Sequence, residues 1–256
     1  MIKNFSLKIR NIFYFLKLKN SKVIRNSSHN NDVKVTFFKD KNIYRKETNT
    51  SYGKKLLMNE LQGLKWFYKR KNITISKIIH NKKFKNNSCR IETIRFSGKK
   101  LNYLQPLYQT EKKILKVIKL YFRIWPLKTV VPYHGDLTLD NIIFSRKKIF
   151  IIDWECFKLS GEVWGNDLVY LVLSAVCLPY HKKGFIPKRD QKILKRLWFK
   201  FRSLKINKAL LNDPVKFYKK QFQKKHWRYI TKRSPNKLFP LFLKENFINH
   251  LNSIIK

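Results

Sequence analysis

Two short stretches concentrate the side chains able to do chemistry: His134-Gly135-Asp136-Leu137-Thr138-Leu139-Asp140-Asn141, and Ile151-Ile152-Asp153-Trp154-Glu155. Between and into them run Ile142-Ile143-Phe144 and Ile149-Phe150-Ile151-Ile152, apolar and β-prone, separated by Ser145-Arg146-Lys147-Lys148. These runs predict an antiparallel hairpin with a basic tip. Asn141 enters the first strand and Asp153 leaves the second, so an amide oxygen and a carboxylate come within about 5 Å at one edge of a small sheet. Such a pair suits a hard cation. Magnesium takes oxygen ligands in octahedral geometry and usually keeps places for water and substrate phosphates. Asp136, on the loop five residues before Asn141, is then placed to face an incoming hydroxyl as its base.

The elements that must position these groups are suggested by what the pattern resembles. H-G-D-x-x-x-x-N followed by an apolar strand ending in D-W-E resembles the aminoglycoside phosphotransferase and choline kinase group, whose relatives among the protein kinases carry H-R-D-x-x-x-x-N and D-F-G. The resemblance implies an α+β, two-lobed protein kinase-like fold, with a small antiparallel-sheet N-lobe and a mainly α-helical C-lobe. It also implies ATP-dependent transfer of the γ-phosphoryl group to a hydroxyl of a small molecule, a cell-surface glycan or a lipid-linked sugar. In that frame Mg²⁺ sits on Asn141 and Asp153, Asp136 is the base, His134 braces the loop and Glu155 supports the metal loop. Gly135 in place of Arg, and Trp154-Glu155 in place of Phe-Gly, are small-molecule kinase features. Asp167 comes only 12 positions after Glu155, too soon for a phosphorylation-controlled activation segment.

A nucleotide lobe is expected upstream. Ser21 to Arg25, Val33 to Phe38 and Ile43 to Thr48 read as strands, the last two joined by the turn Lys39-Asp40-Lys41-Asn42. A helix from about Lys54 to Lys69 follows, with Leu56, Leu57, Leu61, Leu64 and Phe67 at mostly helical spacing. In the kinase fold a strand Lys contacts the α/β-phosphates and is held by a Glu on the next helix. Glu60 is the only acid on this helix. The cation is Lys46 or Arg45: Lys46 matches the kinase motif but puts Tyr44 over the adenine, whereas Arg45 would put Ile43 there. Ser27 and Ser28, in the glycine-free loop Asn26-Ser27-Ser28-His29-Asn30-Asn31, are expected over the phosphates. Cys89 to Ile94 reads as the last strand, Phe96-Ser97-Gly98-Lys99 as the linker, and by resemblance the backbone of Glu92, Thr93 and Ile94 binds the adenine edge.

Further on, Asn166-Asp167 opens an apolar helix to about Cys177. Asp at a helix start is an N-cap, and by resemblance Asp167 also bonds the backbone of the catalytic loop. Helices are expected over Gln191 to Leu204, from the cap Asp213 and first-turn Pro214 to about Ile230, and over Leu238 to Ile255. The domain division is a basic amphipathic helix over 1–20, a nucleotide-binding lobe over 21–95 and a catalytic and acceptor-binding lobe over 96–256.

Composition adds a constraint on partners. Lys and Arg number 58 against 15 Asp and Glu, for a formal charge of +43 and a pI near 10.3. Codon bias toward A and T accounts for abundant Lys and Asn but not for missing acids, so the charge points to nucleic acid, an anionic membrane surface or an acidic glycan. No recognisable DNA- or RNA-binding module accompanies it, and nucleic acid is expected to bind only non-specifically. Ile2, Phe5, Ile9, Ile12, Phe13 and Leu16 form a helical stripe flanked by lysines, which suits an anionic membrane surface as well as ordinary packing. Cys89, Cys156 and Cys177 show neither metal spacing nor pairing logic, as in a reducing cytoplasm. The expected location is the cytoplasm, with the N-terminal helix able to hold the chain peripherally at the inner membrane surface. Two other functions fit the same residues: a nucleotide-binding pseudokinase, and a basic membrane or RNA adaptor on a kinase-like scaffold.

Overall fold

The computed structural model describes residues 21–25, 32–85, 88–146, 148–204, 206–222 and 239–256. The basic helix expected over 1–20 and the loop carrying Ser27 and Ser28 lie outside them. A five-stranded antiparallel sheet is built from β1 (Ser21–Arg25), β2 (Lys34–Phe38), β3 (Ile43–Thr48), β4 (Ile79–Lys85) and β5 (Ser88–Ile94), in the order β1-β2-β3-β5-β4. Helix α1 (Ser51–Arg70) is inserted after β3. It begins three residues before the expected start because the Thr50 side chain caps it, accepting a 2.9 Å bond from the Gly53 amide. Strand β4 was not expected. Its sequence IHNKKFK is exposed along most of its length, an edge strand held by backbone pairing and lacking apolar alternation.

The rest is mainly helical: α2 (Leu107–Ile124), α3 (Asn166–Tyr180), α4 (Lys188–Arg202), α5 (Lys208–Asn212), α6 (Pro214–Phe222), α7 (Phe239–Phe242) and α8 (Glu245–Ile255). With the small sheet lobe, they make a two-lobed α+β architecture. The single helix expected over Leu238–Ile255 is instead two, interrupted at Lys244, which is extended. Helix α3 is buried on nearly every side, as its all-round apolar sequence requires. Its N-cap is Gly165 and not Asp167, which falls on the second helical residue and bonds elsewhere. Asp213 caps α6 through the Lys216 amide at 3.0 Å.

Helix α2 was not expected either, although Leu107, Ile114, Val117 and Tyr121 make a regular buried stripe. It has no cap of its own, since Pro106 stands at the N-cap. The cap comes from Asp190, 83 residues away, whose carboxylate accepts from the Leu107 and Tyr108 amides at 2.9 and 3.1 Å and also from the Tyr180 hydroxyl.

Two small sheets lie at the junction of the lobes. β7 (Val130–Tyr133) pairs with β10 (Lys158–Val163), and β6 (Lys99–Lys100), β8 (Ile142–Phe144) and β9 (Ile149–Ile151) form a three-stranded sheet. The expected antiparallel hairpin β8–β9 pairs Ile142 with Ile151 and is extended by the bond from the Ile152 amide to the Asn141 carbonyl at 3.0 Å. Among the described residues no helix is long and apolar enough to cross a membrane. All three cysteines are buried and free.

Candidate active site

The sheet lobe contributes β3 and α1. Alternation along β3 sends Tyr44 and Lys46 to one side and Arg45 to the other. Lys46 is the cation that enters the cleft: its ammonium lies 2.6 Å from Asp153 Oδ1 and 3.1 Å from Glu60 Oε2. Arg45 points away, bonded through Nε to Glu92 at 2.7 Å and lying over the Phe38 ring. Arg45 is therefore not a cleft residue. Burial pushes the Glu60 carboxyl up and the Lys46 ammonium pulls it back down, so cation and acid depend on each other.

The hairpin and its flanking loops supply the other wall. Asn141 is buried and its amide nitrogen donates to the Asp136 backbone carbonyl at 2.9 Å and to Asp136 Oδ2 at 3.2 Å. That assignment, set by the hydrogen-bond network, turns the Asn141 amide oxygen away from Asp136. Asp153 has φ +66°, a left-handed conformation uncommon outside Gly, Asn and Asp. Among the described residues no group of three His, Cys, Asp or Glu side chains could hold a metal. Asn141 and Asp153 fit Mg²⁺ in the other way, as two hard oxygen ligands with the remaining places left to phosphates and water.

A cavity of about 490 Å³ opens between the two walls. Lys46, Glu60, Asn141 and Asp153 line it together with the apolar side chains of Val35, Tyr44, Ile94, Phe96 and Ile143. Thr93 and Ile94 line it. Glu92 does not, being buried against Arg45 on the other face of β5. Lys100 and Arg95 also reach the cavity. Sequence reasoning missed both, because a linker shows only as a connection in the sequence, whereas β6 pairs with β8 and so holds Lys100 beside the hairpin.

The catalytic-loop residues are braced from behind. Asp167 accepts from the His134 and Gly135 amides at 2.8 and 3.1 Å, and burial raises its pKa to about 7 against the opposing pull of those two bonds. The Asp136 amide donates to His134 Nδ1 at 3.3 Å, so Nε2 carries the proton and donates to the Ile152 carbonyl at 3.0 Å. Burial lowers the His134 pKa to about 4. His134 is thus a neutral, doubly anchored strut beneath Asp136. Gly135 has φ +84°, and a Cβ there would come within 2.7 Å of the Cys156 carbonyl oxygen. Both constraints exclude an arginine at this position.

Helix α1 grips the hairpin along its length. The Asn59 amide donates to the Glu155 carbonyl at 3.0 Å, the Tyr68 hydroxyl to the Ile151 carbonyl at 3.3 Å, and the Lys71 ammonium to the Ile149 carbonyl at 2.5 Å. Gly63 lies against Trp154, whose ring is fully buried among aromatic neighbours. Glu155, two residues after Asp153, is likewise buried.

The chain matches no protein-family model and no curated protein sequence. Among solved structures it aligns with the Cydia pomonella granulovirus kinase PK-1, at 14% identity over 96% of this chain and 98% of that one, with a TM-score of 0.37. A function for the chain has to rest on its own geometry and not on this likeness.

Proposed function

We propose that this protein is an ATP- and Mg²⁺-dependent phosphotransferase of the aminoglycoside/choline kinase type, moving the γ-phosphoryl group to a hydroxyl of a small molecule or glycan. The observation that carries the proposal is the convergence of Lys46, Glu60, Asn141 and Asp153, from widely separated parts of the chain, on one cavity, with Lys46 paired to both acids. Lys46 would bind the α/β-phosphates, held in place by Glu60. Bound by Asn141 and Asp153, Mg²⁺ would supply neutralisation of phosphate charge. Asp136 would accept or orient the proton of the acceptor hydroxyl, with its carboxylate aimed by the Asn141 amide and its backbone held by His134. His134, buried and neutral, is a positioning residue in this scheme. The basic composition favours anionic acceptors, with acidic surface glycans ahead of cationic alcohols.

A phosphoryl-transfer screen over acceptor alcohols tests the reading. With an acceptor in hand, Asp136→Asn should keep ATP affinity within a few fold while turnover falls by about 10²-fold or more, the scale of a lost general base. Wild-type turnover in that variant would overturn the role of this loop. Mg·ATP binding with no transfer to any acceptor would leave a nucleotide-binding pseudokinase.

A further inference from the structure

Helices α2 and α4 lie side by side, and the salt bridge from Arg196 on α4 to Glu111 on α2 joins their outer faces. Lys112, Lys116 and Lys119 are exposed at i, i+4 and i+7 on α2, so they share one face. Lys192 and Lys195 are exposed on α4 at i and i+3, and Phe199 follows at i+7. Phe199 is 78% exposed, more than any other large hydrophobic side chain among the described residues. The acids of the two helices do not offset this charge: Glu111 is already paired with Arg196, and Asp190 is buried on the amides of α2.

Seven residues of helix rise roughly 10 Å, and packed helix axes lie about 8–10 Å apart. Neighbouring lysines therefore fall within about one Debye length of each other, and their fields overlap into a positive face. One turn beyond Lys195 an aromatic ring, Phe199, projects into solvent. A nucleic-acid strand is held in a basic groove with rings stacked between bases, whereas this face is two adjacent helix backs on which Phe199 stands out furthest, with Tyr108 and Phe122 about half as exposed on α2. Lysines around a protruding aromatic match the headgroup layer of a bilayer, where the stems lie along the acyl boundary and the ammonium groups reach lipid anions.

We propose that the α2–α4 face docks on an anionic lipid bilayer, with Phe199 entering the headgroup–acyl boundary. Docking of this kind is independent of the phosphotransfer reading. The full chain should sediment with phosphatidylcholine vesicles that contain phosphatidylserine and not with pure phosphatidylcholine. Each lysine near such a surface contributes about fivefold to partitioning. The triple variant Lys116→Gln, Lys119→Gln, Lys195→Gln should then bind about 100-fold more weakly, while a matched triple on the sheet lobe, Lys69→Gln, Lys77→Gln, Lys82→Gln, should stay within about twofold. As a second readout, Phe199→Cys carrying a polarity-sensitive dye should report an apolar surrounding on vesicle addition, the native cysteines being buried. Equal loss in both triples would overturn the proposal in favour of diffuse charge, and an unaffected α2–α4 triple would place any lipid binding elsewhere. A dye that stays in water, with single-stranded RNA bound through the same lysines, would make the face a nucleic-acid surface instead.

Discussion

Replacing Gly63 by alanine sets two effects of opposite sign against each other. In the interior of a helix alanine is favoured over glycine by about 1 kcal/mol, so propensity alone predicts a more stable protein. A Cβ on Gly63, however, would stand 2.6, 2.7 and 2.8 Å from Cβ, Cε3 and Cδ2 of Trp154. Carbon atoms settle at about 3.5–4.0 Å, so α1 or the indole must move by about 1 Å. Neither has room. Trp154 is fully buried with ring centroids of His134 at 4.5 Å, Phe67 at 5.2 Å and Phe157 at 5.7 Å, while α1 is tied to the hairpin through Asn59, Tyr68 and Lys71. Overpacking of this kind costs about 1–3 kcal/mol, and with no slack the upper half applies. Gly63→Ala should therefore lose about 1–2 kcal/mol net in urea unfolding at unchanged slope. Gln62→Ala, exposed on the neighbouring turn, reports propensity alone and should be neutral or slightly stabilising. Because Trp154 follows Asp153, the Mg²⁺-dependent part of the ATP-induced thermal shift should fall as well. A Gly63→Ala protein as stable as wild type would show that the helix–indole contact yields freely, and the rigid coupling of α1 to the hairpin would be wrong.

Three other substitutions separate structure from chemistry. Asp153→Asn keeps a side chain tolerant of φ +66°, so it should leave unfolding nearly unchanged while abolishing Mg²⁺-dependent stabilisation by ATP, whereas Asp153→Ala should also lose about 1–2 kcal/mol from the backbone; equal Mg·ATP shifts in all three proteins would remove Asp153 as a ligand. Asp190→Ala unpairs two amides at the start of α2 and the Tyr180 hydroxyl, and chemical denaturation should register a loss of about 3 kcal/mol; a loss below about 0.5 kcal/mol would mean that water replaces the cap. For His134 the folded pKa of about 4 lies below the ordinary 6.5, so the unfolded chain binds more protons in that window and the stability is present above pH 6.5 and lost as pH falls through 4. The stability advantage of wild type over His134→Asn should accordingly shrink by about 2 kcal/mol between pH 7.5 and 4.5, and a difference flat with pH would show that His134 is not held neutral.

What the sequence discloses depends on the range of the interactions involved. The hairpin from Asn141 to Asp153 was legible because alternation, turn and polar ends are all local. Lys46 came first in sequence with Arg45 close behind, since either fits the motif within one residue, and the partners separate them: Glu60 and Asp153 for one, Glu92 for the other. Asp167 read as a cap from its own spacing and as a brace of the His134 loop only by resemblance, because its donors, the Gly135 and His134 amides, are 32 and 33 residues away. Helix α2 was hidden for a related reason, its cap being supplied by α4. Strand β4 had no side-chain signal to read, as an exposed edge strand is specified by the backbone of its neighbour.

The attachment of α1 to the hairpin also bears on control. In protein kinases the lysine–glutamate pair is made and broken as the glutamate-bearing helix is repositioned, and that movement serves as a switch. Here the same helix is bolted to the opposite lobe at Asn59, Gly63, Tyr68 and Lys71. Swinging it outward would break three hydrogen bonds and expose the indole of Trp154. If the proposed phosphotransfer holds, a chain built this way would stand permanently armed, and its output would be governed by how much of it is made and where it is kept.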